Sequence, residues 1–369
     1  MSGDPFLNTY ARYPVELVEG RGCRVKDAAG RWYLDGCAGI AVMALGHGHP
    51  AVLAAVHAQV DRLMHVSNLY HVPIQRTFAG KLSAAFGGSK VFLGNSGTEA
   101  NEGAVKLCRK WHWRRGQPRE EVLVLESAFH GRTMMALAMT PRPAYQEGYG
   151  PFPPGVRVVA PGDLPGAISE RTACVFVEPV QGEGGCRPIE NLAEIRAACE
   201  AHDALLVYDE IQSGLGRTGV FTHAPHADVV TVAKALGGGL PLSAIVAREK
   251  VSEVFKPGDH GSTFGGNPVA CAAGAATLDV ILGEDLPASC AAMGARLRAG
   301  LEASGARVTG RGLLLAAHIE GPAAPVIGRM MEQGALVCSA GANAVRFVPP
   351  YVITEGEVDE LVGVFAGSL

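Results

Sequence analysis

The chain has 369 residues, 48% of them hydrophobic, and carries 32 Lys and Arg against 36 Asp and Glu, a formal net charge of -4. That length buries one large core and a second, smaller one, while the charge and the lack of any Lys/Arg-rich run exclude a footprint for phosphate backbones. No apolar run approaches the roughly 20 residues of a membrane span, and the opening MSGDPFLNTYARYP lacks the order of a signal peptide, so a cytoplasmic protein acting on a small molecule is expected.

Residues 1–47 contain hairpin-like runs, Arg24–Asp27 and Arg31–Asp35, with no helical pattern to cover them. They are expected to pack on the layer formed by the other end of the chain. His47-Gly48-His49-Pro50 then opens a helical stretch, Ala51–Leu63. One histidine pair without further ligands shapes that entry rather than holding a metal, so no metal is expected.

Residues 48–275 alternate short β-branched runs with amphipathic stretches, the pattern of strands buried on both faces by crossover helices. The runs are Val91–Leu93, Val122–Leu125, Val156–Ala160, Cys174–Val177, Leu205–Tyr208, Val229–Ala233 and Ser243–Ala247. They predict an α/β fold with one mostly parallel, seven-stranded sheet. Between them Ala100, Ala104, Leu107, Cys108 and Trp111 recur at the spacing of one helix face. In residues 276–369 the character changes: residues 273–304 read as helical, and Arg307–Thr309, Leu313–Ile319, Ala335–Ser339 and Ala344–Val348 read as short strands, a smaller α+β domain.

An open α/β sheet places ligands at the carboxyl ends of its strands, so polar residues just after an apolar run carry the most information. Gly94-Asn95-Ser96-Gly97-Thr98-Glu99 follows one strand and opens a helix, which makes it an anion cradle or an ordinary helix cap. Phe129-His130-Gly131-Arg132-Thr133 offers a ring to stack on a flat cofactor and a guanidinium for a carboxylate, unless Arg132 is simply solvated. Glu178 to Gly185 brings two carboxylates, Glu178 and Glu183, to a glycine-rich strand end, which is also how a solvated loop looks. Asp209 ends an apolar run and needs a positive partner, for which a protonated ring nitrogen would serve, or else it caps the next turn.

Lys234 ends another apolar run, with Asp228 the one acidic residue within eight positions on either side. Such an amine is desolvated rather than paired locally, which lowers its pKa and frees it to attack an aldehyde. Gly214-Leu215-Gly216-Arg217-Thr218-Gly219 matches the dinucleotide fingerprint, but no helical pattern follows and no acid stands about 20 positions on, so a nucleotide site is rejected. The nine cysteines are single, with no C-x-x-C pair, and fit small core residues better than a disulfide framework or a zinc site.

An anion cradle, a stacking ring, an acidic partner and a desolvated lysine on successive strand ends are the parts that pyridoxal phosphate needs. The motifs YPVELVEGRG, NSGTEANEGAVKL, FHGRT, VEPVQGEGG, YDEIQSGLGRTG, AKALGGGLP, STFGGNPVAC and VRFVPP, in this order from about Tyr10 to Ile353, resemble the class III aminotransferases and within them the acetylornithine aminotransferases. The resemblance implies a fold-type I pyridoxal-phosphate-dependent transferase, a homodimer with its active sites at the subunit interface. It implies Lys234 as the Schiff-base lysine and proton shuttle, Asp209 on the ring nitrogen, Gln212 on the ring hydroxyl and Phe129 on the ring face. Ser96, Gly97 and Thr98 would form the phosphate cup, completed by Thr263 of the other subunit. Tyr10 and Arg132 would contact the substrate, Arg346 would take the α-carboxylate of glutamate or 2-oxoglutarate, and Glu183 would neutralise Arg346 when an acyl-ornithine is bound. Ile40, where ornithine aminotransferases place a tyrosine, favours a substrate with an acylated α-amine. The implied reaction is that of arginine biosynthesis, with ornithine, succinylornithine or a carrier-protein-linked aminoadipate semialdehyde of lysine biosynthesis as alternative substrates.

Overall fold

The computed structural model describes residues 5–369. All seven expected runs join one sheet, whose order from edge to edge is Lys90–Gly94, Ser243–Ala247, Val229–Val232, Leu205–Asp209, Thr172–Val177, Glu121–Leu125 and Val156–Val159. Ser243–Ala247 runs antiparallel to both its neighbours. The reason is local: the link 233–242 is too short to hold the helix that a parallel crossover requires. Thr172–Val177 and Leu205–Asp209 are buried at every position, as strands with helices on both faces must be.

Helix Gly97–Arg114 covers one face, pressing Ala104, Leu107, Cys108 and Trp111 against Val124, Phe176 and Val207. Helices Pro50–Val60, Pro73–Ala85 and Pro268–Gly283 pack together elsewhere on the sheet, around Val52, Phe78 and Leu278. The last of these begins earlier than expected and crosses position 275. A left-handed Asp285 (φ 47°) then breaks the chain, and a separate helix, Leu286–Ala303, follows.

The C-terminal layer is an antiparallel sheet of Arg307–Arg311, Leu314–His318, Ala344–Phe347 and Cys338–Ser339, in that order, with helices Ala323–Glu332 and Glu355–Ala366. The single strand expected over Ala335–Ser339 is two pieces serving different sheets. Cys338–Ser339 pairs with Ala344–Phe347, whereas Ala335–Leu336 runs parallel to Trp32–Asp35 and so ties the N-terminal strands to the C-terminal part of the chain. Leu17–Arg21, which the sequence did not suggest as a strand, pairs with Arg24–Asp27.

The rejected nucleotide fingerprint has a structural use. Residues 214–219 form turns, and Arg217 is fully buried, donating to the carbonyls of Leu313 (3.1 Å) and Pro349 with its guanidinium 4.4 Å above the Tyr351 ring. It fastens the large sheet's connections to the C-terminal layer. Arg217→Ala would leave a cavity and orphan both carbonyls, so its thermal midpoint should fall by about 5 °C or more. A calorimetric scan of purified variant and parent checks this.

Candidate active site

The polar residues picked out at strand ends converge on one cavity of about 430 Å³ at the carboxyl edge of the sheet. Ser96, Gly97, Thr98, Phe129, Arg132, Asp209, Gln212 and Lys234 all line it. They arrive on four strand exits, after Lys90–Gly94, Glu121–Leu125, Leu205–Asp209 and Val229–Val232, which is why residues from Ser96 to Lys234 share a space only a few side chains wide.

One wall is the start of helix Gly97–Arg114. Ser96 caps it, its Oγ accepting from the Glu99 amide, and the positive end of an 18-residue helix faces the cavity. The backbone comes very close here: a Cβ on Gly97 would stand 2.7 Å from Ile211, and one on Gly131 would stand 2.4 Å from the Thr98 hydroxyl. Thr98 is itself held by Thr133 at 2.7 Å, and Thr133 by Glu102 at 2.6 Å.

Opposite lies Asp209, 3% exposed. Its Oδ2 accepts from Asn101 Nδ2 and meets His130 Nδ1, both at 2.7 Å, while its Oδ1 accepts from the Ile211 amide at 3.1 Å. Asn101 is oriented in turn by the Thr231 hydroxyl at 2.8 Å and donates to the His130 carbonyl at 2.7 Å. Burial opposes a charged His130, but the hydrogen bond to Asp209 and its charge outweigh that and raise the histidine's pKa. The carboxylate is thus fixed and supplied with positive character on its inner side. Glu178 accepts from the amides of Phe129 (2.9 Å) and Gly182 (3.2 Å), tying the two neighbouring loops together; burial lifts its pKa to about 7.

Sequence reasoning did not assign roles to His130, Asn101 and Thr231. Asn101 did leave a signal, since it stands among the apolar positions of its helix, where a buried amide must find a specific partner.

Lys234 is half-buried by area because its side chain borders the cavity. Desolvation, with the charge of Arg346 adding to it, pulls its pKa down to about 8, so the neutral, nucleophilic amine predominates above that pH. It makes no ion pair with a described residue. Its φ of 44° lies in the left-handed region, a strained setting for a residue with a side chain.

Behind Gln212, and not themselves lining the cavity, stand Glu183 and Arg346; Arg346, on strand Ala344–Phe347, is 2% exposed. It pairs with Glu183 at 2.8 Å and donates to Gln212 Oε1 at 3.2 Å and to the Cys338 sulfur at 3.3 Å. Arg142 donates to the Glu183 carbonyl at 2.7 Å, which pins that loop's backbone and leaves the carboxylate to pair on its own. Arg132 lies exposed, its guanidinium 3.5 Å above the Tyr145 ring, with no carboxylate partner among the described residues. Tyr10 and Thr263 are exposed and do not line this chain's cavity. His47 meets Asp35 at 2.8 Å, and no cluster able to hold a metal occurs among the described residues.

An amine made nucleophilic by burial, sharing a cavity with a fixed carboxylate and a helix N-terminus, suits a lysine-anchored aldehyde cofactor. Comparison with known proteins narrows the class. The sequence model described as aminotransferase class-III matches residues 7–369. An acetylornithine aminotransferase of Gloeobacter violaceus is 43% identical over an alignment spanning 98% of this chain and 94% of the relative. Among solved structures, the N-acetylornithine aminotransferase of Stenotrophomonas maltophilia is 35% identical with a TM-score of 0.85, the alignment covering 97% of this chain and 96% of that one. An ornithine aminotransferase of Toxoplasma gondii, described with pyridoxal phosphate partly occupying its active site, is 33% identical with a TM-score of 0.94, covering 98% and 91%. The chain belongs to the class III aminotransferases, and it is an aminotransferase.

The residues present fit that family's pyridoxal phosphate. The unpaired amine of Lys234 meets the need for an aldehyde trap, the Asp209 carboxylate that for a cationic ring nitrogen, and the glycine-lined helix start that for a phosphate.

Proposed function

We propose that this aminotransferase moves the δ-amino group of N-acetylornithine to 2-oxoglutarate, giving N-acetylglutamate 5-semialdehyde and glutamate, as arginine biosynthesis requires. The observation that carries the reading is the Glu183–Arg346 pair, joined by Arg346 to Gln212 in the lining of the cavity that holds Lys234. A site serving two amino donors in turn must take an α-carboxylate in one half-reaction and an acylated, uncharged amine in the other. An arginine already neutralised by Glu183 does both if that side chain swings aside for the dicarboxylate.

Pyridoxal phosphate bound here would supply an electron-withdrawing ring conjugated to the reacting carbon. Lys234 would anchor it and then carry the proton between the two carbon positions. Asp209, stiffened by His130 and Asn101, would keep the ring nitrogen protonated. Phe129 would cover a ring face, Gln212 would bond the ring hydroxyl, and Ser96, Gly97 and Thr98 would offer donors to the phosphate. Arg132, which has no carboxylate of its own, would take the carboxylate remote from the reacting amine, and Tyr10 would close over the substrate.

Ile40 supports the acylated substrate over free ornithine. It lies exposed in a left-handed turn with φ values of 51° at Ala38, 62° at Gly39 and Ile40 and 64° at Ala41, and offers no hydrogen bond to a second amine.

A homodimer with Thr263 completing the other subunit's phosphate cup belongs to the same proposal. Its support is a large apolar face: Leu53, Val60, Leu63, Met64, Leu69, Tyr70 and Phe264 are all exposed. The segments that bear them adjoin, as Asn267 donates to the Met64 carbonyl at 3.0 Å and the His65 and Phe264 rings are 5.1 Å apart.

The purified protein should be yellow, bleached by glutamate and restored by 2-oxoglutarate. Acetylornithine, succinylornithine, ornithine and a carrier-linked amine compared side by side would assign the substrate; a preference for free ornithine would overturn the reading. For Glu183→Ala, the ratio of single-turnover rates, acetylornithine over glutamate, should fall by about tenfold, since the bare arginine then favours the dicarboxylate throughout. Unchanged rates for both donors would remove Glu183 from the account.

A further inference from the structure

Seven of the nine cysteines are buried; Cys37 and Cys338 are half-buried, and all nine are reduced. These two come together through the sheet that joins the ends of the chain. Asp35 and Leu336 are partners in its parallel ladder, and each cysteine stands two residues beyond. The strands stay in contact over that interval, since a Cβ on Gly36 would lie 3.0 Å from both the Leu336 carbonyl and Val337. Neighbouring strands run about 4.8 Å apart, inside the roughly 4.4–6.8 Å that Cα atoms take in a disulfide. On its other side, Cys338 is the ladder partner of Arg346 and accepts from its Nε at 3.3 Å.

We propose that Cys37 and Cys338 are a modification site, a thiol pair that a hydroperoxide oxidises to a reversible disulfide beside Arg346. Interaction between the two thiols divides their protons unequally. With Arg346 assisting against burial, it draws Cys338 down to about 6, and it pushes Cys37 up. Cys338 is therefore the attacking thiolate and Cys37 the resolving thiol. The thiolate displaces alkoxide or hydroxide from the peroxide, breaking the O–O bond and leaving a sulfenic acid, while the leaving oxygen takes a proton. Cys37 sulfur then attacks Cys338 sulfur, the S–S bond forms, the S–O bond breaks and water departs with the Cys37 proton. Two thiols are oxidised and one hydroperoxide is reduced. Burial raises the thiol pKa of Cys23, Cys186, Cys199, Cys271 and Cys290, which makes them poor competitors.

Oxidation removes a negative neighbour from Arg346 and leaves Glu183 as its ion-pair partner. A dicarboxylate must then displace a tighter pair. On the role proposed above for Arg346, kcat/KM for 2-oxoglutarate falls by at least about threefold and dithiothreitol restores it.

The test exposes the holoenzyme to hydrogen peroxide, blocks free thiols and maps peptides by mass spectrometry. A Cys37–Cys338 cross-linked peptide, lost with dithiothreitol, is expected. In Cys37→Ser, Cys338 should instead stop at a sulfenic acid that dimedone traps. A Cys186–Cys338 link, or over-oxidation of Cys338 in the parent without any cross-link, would overturn the pair. The cross-link does not depend on the substrate assignment, so a cross-linked enzyme with unchanged kcat/KM overturns the link to Arg346 alone.

Discussion

Lys234→Ala should lower kcat by at least about 10⁴-fold, because in the roles proposed for Lys234 the variant would lose both the anchor for the cofactor and the base that moves the proton. Among the described residues no other lysine lines the cavity to take its place. Burst measurements with glutamate check the rate. Borohydride reduction followed by peptide mapping checks the anchor, with the label expected on residue 234 of the parent and absent from the variant. A label elsewhere in the parent would overturn the assignment of the site.

Asp209→Asn should reduce kcat by about 10³-fold with little change in overall stability. The amide nearly preserves the shape, and its oxygen can still accept from Asn101 or His130. What it lacks is the negative charge that would hold a ring nitrogen protonated and that raises the pKa of His130. The histidine's pKa should therefore fall in the variant, measurable by NMR, alongside the loss in rate. Normal turnover in Asp209→Asn would mean that the carboxylate is structural.

The large sheet was legible because its inner strands are buried on both faces and read as unbroken, β-branched apolar runs, whereas the edge strands Lys90–Gly94 and Val156–Val159 are partly exposed. Residues at the ends of those runs were legible for the same reason: Asp209 and Lys234 interrupt apolar sequence where a polar group is otherwise expensive. The supporting polar network was harder to see. His130 sits in a quoted motif and Asn101 on a helix face, but nothing in linear spacing says that both turn toward Asp209, 79 and 108 positions away. The short strands near Ala335–Ser339 were misread as one, because two residues of ladder carry no periodicity and the partition between two sheets is set by which neighbours arrive.

By itself the sequence determined the α/β layering, the polar strand ends that meet at the cavity and the lysine that burial desolvates, since all of these follow from local patterns of apolar and polar residues. Tertiary structure alone decided what each of those residues faces. It set Glu183 against Arg346, closed His130 and Asn101 around Asp209, and brought Cys37 to Cys338 across 301 positions of chain. Such pairings depend on how strands order themselves in a sheet, and that order is fixed by packing between elements, which no window of sequence contains.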